Sequence, residues 1–359
     1  MIKVAMIARS TLFSAKGGDT IQALQTASGL SDYGFAIDIK LTNETIDYSK
    51  YNLLHFFNIT RPADILYHIR KANIPFVVSP IMINYSEYDK YYRSGLAGFL
   101  FRWLPANGIE YIKAVSRWLL GKDKMMSLSY LWKGQKTSVL EIMKKARLLL
   151  PNSSSEYKRI KETYGCNTNY LVVPNAVDSG LFKFDTRIKK TGNLVICAAR
   201  IEGIKNQLNL IKALNNTKYQ LLIIGAPAPN QLSYYQNCKK HAADNIRFIE
   251  QTSQKELAAY YQQAKVHVLA SWFETTGLSS LEAAAMGCNI VITDKGDTKE
   301  YFGDDAFYCT PSSPESIYSA IEKAAASPLN EKLQTKISAM YTWQQASMRT
   351  AEGYKQIIY

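Results

Sequence analysis

The chain has 359 residues, 47% of them hydrophobic and 20% charged, with a formal net charge of +13. That length favours two domains of ordinary size, each burying its own core, and the composition excludes extensive disorder and low-complexity architecture. No apolar run approaches the ~18 to 20 residues needed to span a bilayer.

Lys3-Val4-Ala5-Met6-Ile7-Ala8 reads as a strand, too short for a secretory leader, so the mature chain is expected to start at Met1 and stay in the cytoplasm. A polar loop ending in Gly17-Gly18-Asp19-Thr20 follows. Ile21, Leu24, Ala27 and Leu30 then recur at helical spacing, closed by Gly34 before the strand Ile37-Asp38-Ile39. Leu53-Leu54-His55-Phe56 and Phe76-Val77-Val78 continue as strands, with Ile65, Ile69 and Ala72 on a helix between them. Strands alternating with helices at this pace predict a parallel sheet covered on both faces.

Residues 92–147 hold eleven bases against three acids, so much of the net charge is local. Within residues 92–136 the charges interleave with Leu96, Phe99, Leu100, Trp103, Leu119 and Trp132, a pattern that suits either contact with an anionic membrane or packing on the domain with solvated charges. After Pro174-Asn175-Ala176-Val177-Asp178 a second series of strands begins: residues 194–198, 220–224, 246–249, 266–269 and 289–292. Helical periodicity falls between them, notably at 257–263 and 281–286, and a last helix starts at Trp343 with Ala346, Ala351 and Tyr354 on one face. The predicted organisation is an α/β chain of two doubly wound parallel-sheet domains, residues 1–178 and 179–340, followed by a last segment, residues 341–359, whose helix has to pack against one of them. The cysteines, Cys166, Cys197, Cys238, Cys288 and Cys309, show no paired or zinc-like spacing and read as reduced, mostly buried small side chains.

The densest chemical signal is Ser271-Trp272-Phe273-Glu274-Thr275-Thr276-Gly277-Leu278-Ser279-Ser280-Leu281-Glu282, running strand, loop, helix. A glycine loop that opens a helix offers unpaired N–H groups and a positive dipole end to a phosphate, which places Thr276, Gly277 and Leu278 as donors. Glu282, in the first turns of that helix, is placed to accept ribose hydroxyls, as acidic residues do in dinucleotide folds; the alternative is a glutamate that merely complements the dipole. Arg200 and Lys205 follow a strand, where a forked guanidinium and a point-charge ammonium could clamp a diphosphate. His55 is the N-terminal histidine at a strand's carboxyl end and a candidate acceptor or sugar contact, whereas His267 alternates into a strand and reads as core.

These pieces, together with Gly17-Gly18, Ile224-Gly225 and Tyr341-Thr342-Trp343, run in an order that resembles the retaining GT-B glycosyltransferases of glycosyltransferase family 4, over nearly the whole chain and most firmly in its C-terminal half. The resemblance implies a GT-B fold of two Rossmann-like domains facing across a cleft, with the C-terminal helix of residues 341–359 crossing back to the first domain. It implies that Arg200 and Lys205 bind the donor diphosphate, Glu282 the ribose and Glu274 the transferred sugar, with Gly17, Gly18 and Gly225 among the donor contacts. The implied activity is hexosyl transfer from a nucleotide-diphosphate sugar, as co-substrate, to a hydroxyl of a glycan or lipid-linked acceptor in bacterial surface polysaccharide synthesis. The chain departs from the family at residues 76–82, where no histidine stands, and at Ala226, where a second glycine is usual. No Asp-x-Asp pair follows a strand, so no metal and no cofactor are expected. Rival readings are a GT-B relative that epimerises or only binds nucleotide sugars, and a basic nucleic-acid-binding protein, although no nucleic-acid recognition motif is present.

Overall fold

Four consecutive apolar residues without alternation, Val4-Ala5-Met6-Ile7, need cover on both faces. All four are fully buried, in β1 (Ile2–Ala8). The structure, a computed structural model, describes residues 1–15, 17–93 and 95–358. The chain forms two units, Met1–Asn175 together with the C-terminal segment from Trp343, and Ala176–Thr342.

In the first unit β1 leads to α1 (Gly18–Leu30) and β2 (Phe35–Leu41), then β3 (Leu53–Phe57), α2 (Pro62–Lys71) and β4 (Phe76–Ser79). A helical segment follows, with α3 (Ser86–Tyr91), α4 (Gly95–Phe101), α5 (Ala106–Leu119) and α6 (Tyr130–Lys145) before the short strand β5 (Leu148–Leu149) and α7 (Ser154–Tyr164). The strands pair in parallel in the order β2-β1-β3-β4-β5. Ala5, Ile7, Leu54, Phe56, Phe76 and Val78 share one core, which Val139, Ile142 and Met143 of α6 complete.

The second unit runs β6 (Thr191–Ala198), α8 (Gln207–Leu214), β7 (Gln220–Ile224), α9 (Leu232–His241), β8 (Ile246–Ile249), α10 (Gln254–Gln263), β9 (Ala264–Leu269), α11 (Leu278–Ala285), β10 (Asn289–Thr293), α12 (Thr298–Phe302), β11 (Phe307–Cys309), α13 (Pro314–Ala326) and α14 (Glu331–Met340). Its strands pair in parallel in the order β11-β10-β9-β6-β7-β8. Alternate side chains of each strand enter different cores: Val195 and Cys197 go to one with Val266, Val268 and Val291, and Ile196 and Ala198 to the other with Ile290 and Ile292. Both faces of this sheet are therefore sealed by helices, and its ligand-accessible region is confined to the strand ends. His267 is fully buried, and burial lowers its pKa to about 3, as suits a core histidine. The cysteines are all free thiols, and all but the half-buried Cys166 are buried.

The last helix, α15 (Trp343–Ile358), belongs to the first unit. Its buried Tyr354 meets Phe35 edge-on at 5.2 Å and brings its hydroxyl 2.7 Å from Nδ1 of His55, whose Nε2 lies 2.8 Å from Oγ of Ser79. His55 is fully enclosed and burial holds its pKa down at about 3, so the ring is neutral, with one nitrogen donating and the other accepting. This corrects its reading as an acceptor contact. Both nitrogens are committed to tying α15 across β3 and β4, which leaves neither for a sugar hydroxyl. Tyr354→Phe would strand a buried ring nitrogen and should lower the unit's unfolding free energy by about 1 to 3 kcal/mol in urea titrations; an unchanged midpoint would contradict the latch.

Candidate functional site

In the second unit the chain leaves β6 toward β7 and β8 on one side and later returns through β9 to build β10 and β11 on the other. Adjacent β6 and β9 therefore mark a topological switch point, the position beside whose strand ends open parallel α/β sheets bind their ligands. Lys205, in the turn after β6, and Glu274, in the loop after β9, meet in this region with Nζ 2.6 Å from Oε1. Both side chains are largely shielded from solvent.

The surrounding backbone fixes this meeting. Asn206 adopts a left-handed conformation (φ +60°), tolerable for asparagine, and its amide donates to the carbonyls of Ala270 at 2.9 Å and Pro311 at 2.7 Å. Trp272 N–H donates to the Ile204 carbonyl at 3.0 Å, closing the two loops on each other. Glu274 is clamped from the far side: its N–H donates to Lys295 O at 3.1 Å, and its carbonyl accepts from Asp297 N–H at 3.0 Å. Between those residues Gly296 has φ +102°, and a Cβ there would stand 1.9 Å from the Glu274 carbonyl oxygen, so only glycine fits.

Gly225, at φ +145°, works in the same way. A Cβ would lie 2.2 Å from the Ala199 carbonyl oxygen, and its N–H is already donated to Ile249 O at 3.0 Å. What it supplies is the absence of a side chain, which lets the loop after β7 close on the backbone of Ala199 and Arg200. Arg200 itself is exposed and pairs with Glu202 at 3.1 Å. The Arg200 side chain is 45% exposed and its Glu202 partner 12%, so the guanidinium can be reached from solvent while the carboxylate lies largely inside.

α11 opens at Gly277, whose carbonyl accepts from Ser280 and Leu281 N–H at 2.8 and 3.1 Å. The N–H groups of Leu278 and Ser279 belong to the first turn, where a helix has no carbonyl of its own to offer and presents the positive end of its dipole. Thr276 is buried just ahead of it. Glu282 is buried on the same helix, makes no ion pair among the described residues, and burial raises its pKa to about 8. A carboxyl kept in an apolar setting without a cation is costly unless hydroxyl or amide donors reach it.

In the first unit, Gly17 caps α1 and its N–H donates to Oγ1 of Thr20 at 3.1 Å. Gly18 is the first residue of α1. The loop before them is knitted by Arg9, which grips the Asp19 carboxylate at 2.5 and 3.0 Å and the carbonyls of Thr11 and Ala15 at 2.8 and 2.7 Å. Beyond β4, Ile81 holds φ +46°, a strained value for a β-branched residue. Next to it a pocket is lined by Met82, Asn84, Tyr85, Asn107, Glu110 and Gln135. Arg9, Asn206, Gly296 and Ile81 escape the sequence reading; Gly296 alone leaves a trace there, a Lys295-Gly296-Asp297 turn directly after a strand.

Residues 178–340, nearly all of the second unit, match the family model described as glycosyl transferases group 1. Among curated proteins, a glycogen synthase of Mycobacterium tuberculosis is 25% identical over 227 residues, covering 59% of this chain and 55% of that protein. A probable sucrose-phosphate synthase of Thermosipho melanesiensis is 27% identical over 201 residues, covering 52% and 47%. The chain thus spans about half the length of the curated relatives it matches. Sucrose-phosphate synthase from Thermosynechococcus elongatus superimposes with a TM-score of 0.76 at 14% identity over 99% of both chains. Anabaena Alr3699/HepE, solved in complex with UDP and glucose, does so with 0.70 at 13% over 99% of this chain and 100% of that one. At such identities the likeness shows the fold, two parallel-sheet α/β units of the GT-B kind.

The Glu282 carboxyl gives the site a pH signature. Its ordinary pKa is 4.5 and its folded value about 8, so between these the folded state holds a proton that the unfolded state has lost, and stability falls as pH rises across that window. Glu282→Gln removes the titration. Relative to wild type the variant should gain stability, on the order of a few kcal/mol, between pH 5 and pH 8.5 in urea unfolding; a difference that stays flat across this range would contradict a buried, unpaired carboxyl.

Proposed function

We propose that this chain is a glycosyltransferase that binds a nucleotide-diphosphate sugar at the carboxyl ends of β6, β9 and their neighbours and passes the sugar to a hydroxyl acceptor. The observation that carries the reading is the Lys205–Glu274 contact: it joins a cation suited to phosphate and a carboxylate suited to sugar hydroxyls at a topological switch point. The group 1 match over residues 178–340 supports it, because both residues lie inside that segment.

In this reading Arg200 leaves Glu202 to grip the diphosphate in a fork, while Lys205 faces it as a point charge oriented by Glu274. The N–H groups at the start of α11, from Thr276 through Leu278, add the positive end of the helix dipole. Glu274 and Glu282 take up sugar and ribose hydroxyls respectively. Those hydroxyls give the buried Glu282 carboxyl the hydrogen bonds it lacks, so its desolvation is a cost that the nucleotide relieves.

The chemistry asks for charge stabilisation more than for a nucleophile. The bond from the sugar's anomeric carbon to the diphosphate oxygen breaks, the acceptor oxygen bonds to that carbon on the same face, and the acceptor proton passes to the departing diphosphate. Fixed positive groups around the leaving diphosphate lower this barrier directly. We therefore propose a retaining, metal-independent hexosyl transfer. The acceptor class proposed is a glycan or lipid-linked glycan of the kind assembled into surface polysaccharide, which the exposed apolar and basic stretch of the first unit favours.

Arg200→Ala is the direct test, read beside Arg200→Lys, which keeps a cation near the largely buried Glu202 carboxylate. Transfer in Arg200→Ala should fall by about 100- to 1,000-fold, far more than the loss of stability from leaving the buried Glu202 oxygen without its partner accounts for. Glu282→Ala should chiefly weaken donor binding, and EDTA should leave the wild-type rate intact. Normal turnover in both alanine variants would end the assignment, and a rate abolished by EDTA and restored by manganese would end metal independence.

A further inference from the structure

Eleven of the eighteen large hydrophobic side chains exposed among the described residues fall between Tyr91 and Trp132, about an eighth of the chain. Leu96 and Trp103 are 85% and 84% exposed, Leu119 and Trp132 71% and 74%. α5 shows how this arises. Ile109 is its one fully buried residue, while Ile112, Ser116 and Leu119, spaced to share a face, all look outward and Leu120 extends them. In α4 likewise Gly98 and Phe101 turn in, and Leu96, Phe99 and Leu100 turn out. Phe101, Ile109 and Tyr130 of this segment are buried, and the exposed apolar residues beside them do not serve that core.

The charge beside them has one sign. Arg102, Lys122, Lys124 and Lys136 are exposed. The acids of the segment are already neutralised: Glu110 pairs with Lys113 at 2.9 Å, and Asp123 with Arg61 at 2.6 Å. The segment is also anchored, since the fully buried Asp89 of α3 binds Arg93 at 2.7 Å and Lys113 of α5, and the Arg93 guanidinium lies over the Phe101 ring.

We propose that the outward face of α4, α5 and the loop leading to α6 docks this chain on an anionic lipid bilayer. Exposed leucines flanked by tryptophans and bases suit the headgroup boundary, where indole rings rest at the interface and cations meet lipid phosphates. A second copy of the chain is disfavoured as the occupant, because a symmetric pairing would set this positive patch against itself. Nucleic acid would leave the aliphatic side chains, Leu96, Leu100, Leu119 and Leu120, without a partner.

The test is co-sedimentation of the full chain with vesicles of phosphatidylcholine containing phosphatidylglycerol, and with vesicles of phosphatidylcholine alone. The chain should bind the anionic vesicles, release as salt rises, and bind the neutral ones far less. Arg102→Gln, Lys122→Gln and Lys124→Gln together should weaken binding about a hundredfold, since each base near the surface contributes a factor of about five. Trp103→Ser with Leu119→Ser should weaken it as well, both sets keeping the wild-type urea midpoint. No vesicle binding, binding indifferent to these substitutions, or self-association that depends on Trp103 and Leu119 in place of vesicle binding would each overturn the proposal. The readout does not depend on glycosyl transfer, so it can fail while the donor site stands.

Discussion

The reversal of strand order between β6 and β9 is the constraint on which the second unit's chemistry depends. Lys205 and Glu274 are 69 positions apart, and nothing local relates them. They meet because two neighbouring parallel strands end side by side while their connections diverge, which leaves the loops free to fold over the same edge. The helices that seal both faces of the sheet make that edge the place where ligand can reach the backbone. Asn206, Trp272 and Gly296 then remove the remaining freedom, each by tying one loop's backbone to another.

The same edge concentrates features that cost stability. Glu282 is buried without an ion pair among the described residues, and Asn206 and Gly225 hold unusual backbone angles. A protein core selected for stability alone would replace a buried, unpaired carboxyl with an apolar residue. Strain and unspent polarity gathered at one sheet edge are what a site leaves behind when its missing partners belong to a ligand. The first unit shows the contrast in His55, a polar group just as deeply buried whose partners are all internal.

Much of the fold was legible because buried parallel strands are written as uninterrupted apolar runs: residues 194–198, 220–224 and 289–292 all lie in strands of the structure. β5 and β11, of two and three residues, carry no period to read and went unseen. The Glu274 to Glu282 segment was legible because strand, loop and helix are continuous there. Arg9, Asn206 and Gly296 were not, since what makes them matter is a backbone contact with a distant segment. His55 was misjudged for the same reason, its partner Tyr354 lying 299 positions away. In residues 92–136 the mixture of apolar and basic side chains was visible, but which of them face solvent is decided by tertiary packing.

If the second unit's switch point receives a nucleotide-diphosphate sugar, as we propose, calorimetric titration will register it. The chain would be titrated with UDP, GDP and ADP and with the 3′-deoxyribose form of whichever binds. One diphosphate should bind, its sugar adduct should bind too, and loss of a ribose hydroxyl should weaken binding in wild type but not in Glu282→Ala, where the partner of that hydroxyl is already gone. Absence of binding by every nucleotide, or an equal penalty for the missing hydroxyl in both proteins, would contradict the proposal.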